Sequence, residues 1–222
     1  MKFENTHVYG ILDAIRGARN PLESWSKSDS YMLAGSAMIG PNDMKLLQNL
    51  MKAAINDRSN SHSKFLRQIM LSVDITGPLY WWKEFDTYKV GTTANSTSTM
   101  HKLASKPITL DCFETDDYEN IQMDFLPYNE ELKFVLVEPM IGVLEDLRVK
   151  YLETKDKRYW KELVRWLPES WLQTRTFTAN YQVIRSMYFD RRNHKLTEWS
   201  KSFVDWVKTL PYAEELIMFE GR

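Results

Sequence analysis

The chain has a single cysteine, Cys112, among its 222 residues. That excludes an intrachain disulfide framework and any zinc site built on clustered cysteines. It also suits a reducing cytosol, so a cytoplasmic location is expected. An excess of one charge is missing too: 29 Lys and Arg stand against 30 Asp and Glu, for a formal net charge of -1. No global basic field exists to hold a long nucleic acid. No run of about 18 apolar residues occurs, so no transmembrane helix and no membrane partner are expected. The longest apolar stretches are short, as in Phe134–Val137. The first residues show no basic region followed by an apolar run, so no secretory signal is read there. Glycines are few, and Gly35 and Gly40 have neither the spacing nor the Lys-Ser/Thr pair of a phosphate loop. The histidines His7, His62, His101 and His194 never fall at i, i+4. No helix-borne metal site is expected, and no residue is assigned a catalytic role from its type.

What remains is a globular composition, 43% hydrophobic and rich in aromatic residues at 13%. It is enough for a real core in one domain, residues 1–222. Phe3–Gly10 favours a strand, and Ile11, Ile15 and Ala18 then fall at helical spacing up to Asn20-Pro21. Ser26–Ser36 reads as a loop. A helix starts at Pro41-Asn42-Asp43 with Asn42 or Asp43 as cap, and Leu46, Leu47, Leu50, Met51 and Ala54 form its apolar stripe. Ile69, Leu71, Val73 and Ile75 alternate with polar residues in a half-buried strand that Gly77-Pro78 ends. Tyr80–Tyr88 is expected as a helix with Trp81, Phe85 and Tyr88 on one face. Lys89–Met100 is too polar for core and a poor helix former.

Ser105–Asn129 carries Pro107, Pro127 and an acidic patch of Glu114, Asp116, Asp117 and Glu119, and reads as a long loop. Helices are expected from about Glu138 to Tyr151 and over Tyr159–Leu167. A strand or helix is expected within Trp171–Asp190, and a last helix runs through Leu196, Trp199, Phe203, Val207 and Leu210. The sum is α+β with more helix than strand.

Two polar features stand out, the cluster Thr92–Thr99 and the pair Arg191-Arg192. Hydroxyls with a bidentate arginine fork are what a phosphate site needs. A solvated loop and a helix-end charge pair are the plainer readings of the same residues.

The stretch His62–Lys102 resembles the flavin-dependent thymidylate synthase (ThyX) family. There a His-Glu-Thr-Pro-Phe-Glu-His segment leads into an alternating strand. An Ala-Pro break and a short helix follow, then the signature R-H-R-x-x-S-x-N-E-x-S-x-R-Y. Here His62 begins the segment, Ile69–Ile75 is the strand and Gly77-Pro78 the break, without a gap. Lys83-Glu84-Phe85 stands where the family has Arg-Gln-Trp. A second block, Leu167-Pro168, Thr178-Ala179-Asn180 and Phe189-Asp190-Arg191, follows the family's Leu-Pro, Thr-x-Asn and Asn-Leu-Arg. Ile15–Arg19 is a weaker match near the N-terminus.

The resemblance implies a twisted antiparallel sheet flanked by helices, and a homotetramer with active sites shared between subunits. The implied activity is that of a methyltransferase of nucleotide biosynthesis. It would convert dUMP to dTMP with methylenetetrahydrofolate, a reduced FAD supplying hydride and NADPH reducing the flavin. His62, Tyr88 and Lys89 fall at cofactor-binding positions. Glu84, Thr97, Thr99 and Arg191 fall at substrate-binding positions.

The signature itself is altered. Thr87-Tyr88-Lys89 replaces Arg-His-Arg, Ala94-Asn95 replaces Asn-Glu, and the Ser and Arg of S-x-R become Thr97 and Thr99. Each lost charge-assisted hydrogen bond is worth about 1.5–3 kcal/mol. FAD binding weaker than in the family, or none, is therefore expected. A non-catalytic relative that binds a nucleotide or a protein is the alternative reading.

Overall fold

The computed structural model describes residues 1–58, 60–116 and 137–221. Asp117, Glu119, Pro127 and Phe134–Leu136, singled out above, lie outside the described residues. Strands β1 (Lys2–Tyr9), β4 (Met70–Pro78), β5 (Thr93–Ser96) and β6 (Leu172–Asn180) form one sheet in the order β1-β4-β6-β5. Strands β2 (Tyr31–Leu33) and β3 (Ser36–Met38) form a separate antiparallel hairpin.

Contacts along the larger sheet run in opposite senses on neighbouring strands. Asp74 accepts from Thr176 at 2.6 Å, while Thr76 meets Thr174 at 2.7 Å. Thr178 donates to the Thr93 carbonyl at 3.5 Å, and the Thr97 amide donates to Thr174 at 2.9 Å. The architecture is the expected α+β fold with an antiparallel sheet. Strand alternation sets its faces. Leu71, Val73 and Ile75 are buried, and Ser72, Asp74 and Thr76 between them are not.

The chain divides into two compact units. The first comprises Met1, Thr76–Asp86 and Ser96–Arg175. It holds helices α3 (Leu79–Phe85), α4 (Thr99–Lys102), α5 (Val137–Thr154) and α6 (Lys157–Arg165). Leu103, Ile108, Phe113, Leu144 and Leu163 form one core cluster there. Trp81, Trp82 and Phe85 pack ring against ring, with centroids 4.8–5.0 Å apart.

The second unit comprises Lys2–Ile75, Thr87–Asn95 and Thr176–Arg222. It holds α1 (Ile11–Arg19), α2 (Pro41–Asn56) and α7 (Tyr181–Arg191). A π-helical stretch, Glu198–Phe203, continues into α8 (Val204–Lys208). Ile15, Leu47, Met51, Ile184, Trp199 and Phe203 are among its buried residues.

The start of α2 differs from expectation. Gly40 is the cap and Pro41 the first helical residue, and the cap has no side-chain bond of its own. Instead Asp29 reaches in from the preceding loop and accepts from the Asn42 and Asp43 amides at 2.9 and 3.1 Å. A Cβ at position 40 would lie 2.2 Å from the Asp29 carboxyl carbon, so only glycine admits that approach. Asp43, freed from capping, turns inward and is fully buried. It accepts from Arg19 Nε at 2.6 Å, from the Ser28 and Ser30 hydroxyls at 2.8 and 2.6 Å, and from the Asp29 and Ser30 amides at 3.0 Å. Arg19 in turn donates to Ser24 and Lys27 carbonyls. The clasp ties the loop after α1 to the first turn of α2.

Other boundaries also shift. Ser26–Ser36 is not all loop: β2 lies within it, and Ala34 and Gly35 turn the hairpin with φ of 48 and 84°. Two left-handed residues match the strand twist. Helix α3 stops at Phe85, which places Tyr88 in the following loop rather than on a helical face. The polar stretch after it contains β5, at an edge of the sheet. Both alternatives for the 171–190 region occur in succession, β6 and then α7.

Candidate functional site

The candidate residues fall on both units. In the second unit the loop carrying Tyr88 lies against α7. Asn180 starts that helix, its side chain accepting from the Val183 amide at 3.0 Å. Gly91 holds the loop close: its φ is +75°, and a Cβ there would lie 3.3 Å from Val183 and 3.4 Å from the Asn180 side chain. Thr92 closes the loop by donating to the Tyr88 carbonyl at 2.6 Å.

At the other end of α7 the Arg191 guanidinium sits between two rings. Its carbon is 4.9 Å from the centroid of Trp199 and 5.5 Å from that of Tyr88. Nε donates to the Tyr88 hydroxyl at 2.9 Å, and that hydroxyl donates to Asp190 at 3.2 Å. Burial pushes the Tyr88 phenol above its ordinary range. Arg191 works against that shift and Asp190 adds to it. Tyr88 is therefore a neutral donor and acceptor at physiological pH. Tyr88 and Arg191, proposed for different ligands on sequence grounds, are direct neighbours.

The remaining second-unit candidates make other contacts. Lys89 is exposed, and its amide donates to the Thr87 carbonyl. His62 is exposed and lies 3.2 Å from the Asp57 carboxylate.

The first unit holds Glu84, Thr97 and Thr99. Glu84 is half-buried on α3. Thr97 is exposed at the side chain, while its carbonyl accepts from Gln173 at 2.9 Å. Thr99 is the first residue of α4, which Ser98 caps. The same unit holds a cluster that no sequence motif marks. Arg175 lies 4.2 Å over the Trp82 ring, donates to Asp86 at 2.7 Å and to Gln173 at 3.0 Å. Its signal was an arginine in the inward phase of the alternation Gln173, Phe177, Ala179. Trp199 was legible only as a core residue of an apolar stripe.

A flavin diphosphate needs several cations together. Of the three cofactor candidates, His62 is engaged with Asp57, and the Tyr88 hydroxyl is already both donor and acceptor. Lys89 alone adds a positive charge at the altered signature. The three candidate positions thus bring one free cation, that of Lys89, where a flavin diphosphate needs several, and in one copy they do not fit FAD. Among the described residues no group of histidine, cysteine or carboxylate side chains is arranged to hold a metal ion. No described helix is long and apolar enough to cross a membrane.

Two solved structures are similar along the whole chain. One is the flavin-dependent thymidylate synthase ThyX from Helicobacter pylori complexed with FAD and dUMP. It covers 97% of this chain and 98% of that one, with a TM-score of 0.66 and 19% identity. The fold is that of ThyX. A second Helicobacter pylori ThyX structure with FAD and dUMP gives a TM-score of 0.65 at 18% identity, over 100% of this chain and 99% of that one. No family model matches the chain, and no curated protein matches it in sequence. The ThyX likeness is thus one of backbone and topology, while most signature side chains differ.

Proposed function

We propose that the chain, acting as one ThyX-like domain over residues 1–222, serves pyrimidine nucleotide metabolism as a thymidylate-synthase-like protein that binds dUMP. The full-length likeness to ThyX structures holding dUMP carries this reading. The Arg191 cage supports it. Two rings and one tyrosine hydroxyl fix the plane of the guanidinium, and a phosphate fork needs that plane fixed. Glu84, Thr97 and Thr99 complete the proposed substrate set. FAD, with methylenetetrahydrofolate and NADPH as co-substrates, belongs to the catalytic form of the proposal.

A second reading is a non-catalytic nucleotide- or protein-binding relative. It is favoured by Thr87-Tyr88-Lys89, where Tyr88 is spent on Arg191 and Asp190. The proposed assembly is a cytoplasmic homotetramer. Its support is a set of large apolar side chains exposed close together in sequence: Tyr31, Met32 and Leu33 at 55% each and Leu22 at 82%.

The test is calorimetry with dUMP on the parent, Arg191→Lys and Arg192→Lys. Lysine loses the fork, so Arg191→Lys is expected to weaken binding about tenfold or more. Arg192, paired with Glu220, is expected to tolerate the change. FAD titration of the parent by fluorescence quenching is expected to show weak binding or none. Equal losses in both variants, or no dUMP binding by the parent, would overturn the nucleotide reading.

A further inference from the structure

Away from the Arg191 cage, the second unit has a small cleft of about 170 Å³. At about 30 Å³ per water in the liquid, that holds roughly half a dozen water-sized groups. It is too small for a whole cofactor and suits the head of a small molecule. One wall is apolar, made by Met51, Ala54 and Ile55 on the last turns of α2. The rest is polar and cationic: Arg58, Asn60 and Ser63 from the segment after α2, and Arg185 from α7. No carboxylate is among the described residues that line it.

The two arginines differ in how they are held. Arg185 is partly buried and oriented, with one guanidinium nitrogen donating to the Ile217 carbonyl at 2.6 Å and the group lying 4.7 Å over the Phe189 ring. No carboxylate forms an ion pair with it among the described residues. Burial lowers its basicity, and the field of Glu220 opposes that only in part. A partly buried guanidinium whose charge is offset only in part is stabilised by an arriving anion. Glu220, whose field reaches Arg185, is paired with Arg192.

Arg58 is exposed and makes no side-chain hydrogen bond or ion pair among the described residues. It also holds φ at 49°, just past the end of α2, with its amide donating to the Ile55 carbonyl at 3.2 Å. Glycine is the favoured residue at that position. An arginine there keeps a charge at the cleft mouth at the expense of backbone ease, and such a departure points towards function.

We propose that this cleft binds the phosphate group of a small molecule, between Arg58 and Arg185, with the Asn60 amide as a further donor and the α2 wall against the apolar remainder; the Ser63 hydroxyl already donates to Gln182 at 3.3 Å. Several donors from separate elements suit a tetrahedral oxyanion better than a planar carboxylate. The site shares no residue with the dUMP set proposed above and stands independently of it.

Inorganic phosphate is the probe, titrated into the full chain by calorimetry and thermal melting, with chloride at matched ionic strength as control. Phosphate is expected to bind and to raise Tm where chloride does not. Arg58→Gly is expected to melt higher than the parent in chloride, because the backbone relaxes, and to bind phosphate about tenfold more weakly. Arg185→Lys, which keeps the charge and loses the fork, is expected to weaken phosphate binding as well. Arg191→Lys, which weakens any phosphate bound at the nucleotide site, is expected to leave in place the component of phosphate binding that Arg58→Gly removes, which separates the two sites. Equal responses to phosphate and chloride, parental affinity in Arg58→Gly, or loss confined to Arg191→Lys would each overturn the proposal.

Discussion

Replacing Asp43 with asparagine tests the buried clasp between α1 and α2. Burial alone would raise the Asp43 carboxyl. The hydroxyls of Ser30 and Ser28, the Arg19 guanidinium and the Asp29 amide outweigh it and hold the group at about 2, against an ordinary value of 3.8. A native value below the unfolded one means that the group stabilises the fold above pH 4. That contribution fades as pH falls through 2. At about 1.36 kcal/mol per pH unit of difference, the group contributes about 2 kcal/mol at neutral pH, and about half of that is gone at pH 3. Asparagine does more harm than protonation. It turns an NH₂ towards donors and leaves Arg19, only 5% exposed, without its counter-charge. Breaking a buried pair from one side costs about 3–5 kcal/mol. Urea unfolding at pH 7 is therefore expected to show that loss for Asp43→Asn. The gap to the parent is expected to narrow by about 1 kcal/mol at pH 3, as the parent loses its own advantage. A gap that stays the same at both pH values, or one under 1 kcal/mol at pH 7, would refute the assignment of a charged, fully bonded Asp43.

Two further expectations concern the loop at Arg191 and the assembly. Gly91→Ala places a Cβ on a left-handed backbone and 3.3 Å from Val183. It is expected to cost about 1–2 kcal/mol in urea unfolding, and an unchanged midpoint would show that the loop does not need glycine. Light scattering at micromolar concentration is expected to report a homotetramer, and a stable monomer would count against both the assembly and a shared site.

Elements whose period matched their burial were legible beforehand. Leu71, Val73 and Ile75 alternate because one face of β4 meets core, and Leu47, Met51 and Ala54 repeat because one stripe of α2 does. Strand β5 was invisible because Thr93–Ser96 is exposed throughout, so no alternation marks it and only its pairing with β6 defines it. The hairpin was hidden by Ala34, which takes a left-handed conformation that asparagine or glycine would have advertised. The α2 cap was misplaced because the capping carboxylate, Asp29, is remote in sequence. At the candidate site, Tyr88 and Arg191 were each found by resemblance. Their mutual contact joins residues 103 apart and has no local trace. Arg58 and Arg185 carry no motif at all, and only the folded chain puts them at one cleft.

The strand order β1-β4-β6-β5 has a consequence for how the chain reaches its native state. The two central strands are β4 and β6, and the segment that separates β5 from β6, its neighbour among the described strands, is roughly 75 residues long. On the ribosome, at about 5–20 residues per second, β4 and β5 wait roughly 4–15 seconds before β6 exists to sit between them. During that interval β4 has one unpaired edge bearing Leu71, Val73 and Ile75 on one face, a ready template for another nascent chain. High contact order of this kind slows folding and lengthens exposure. The late strand is thus the step at which synthesis speed and chaperone supply would govern the yield of folded protein.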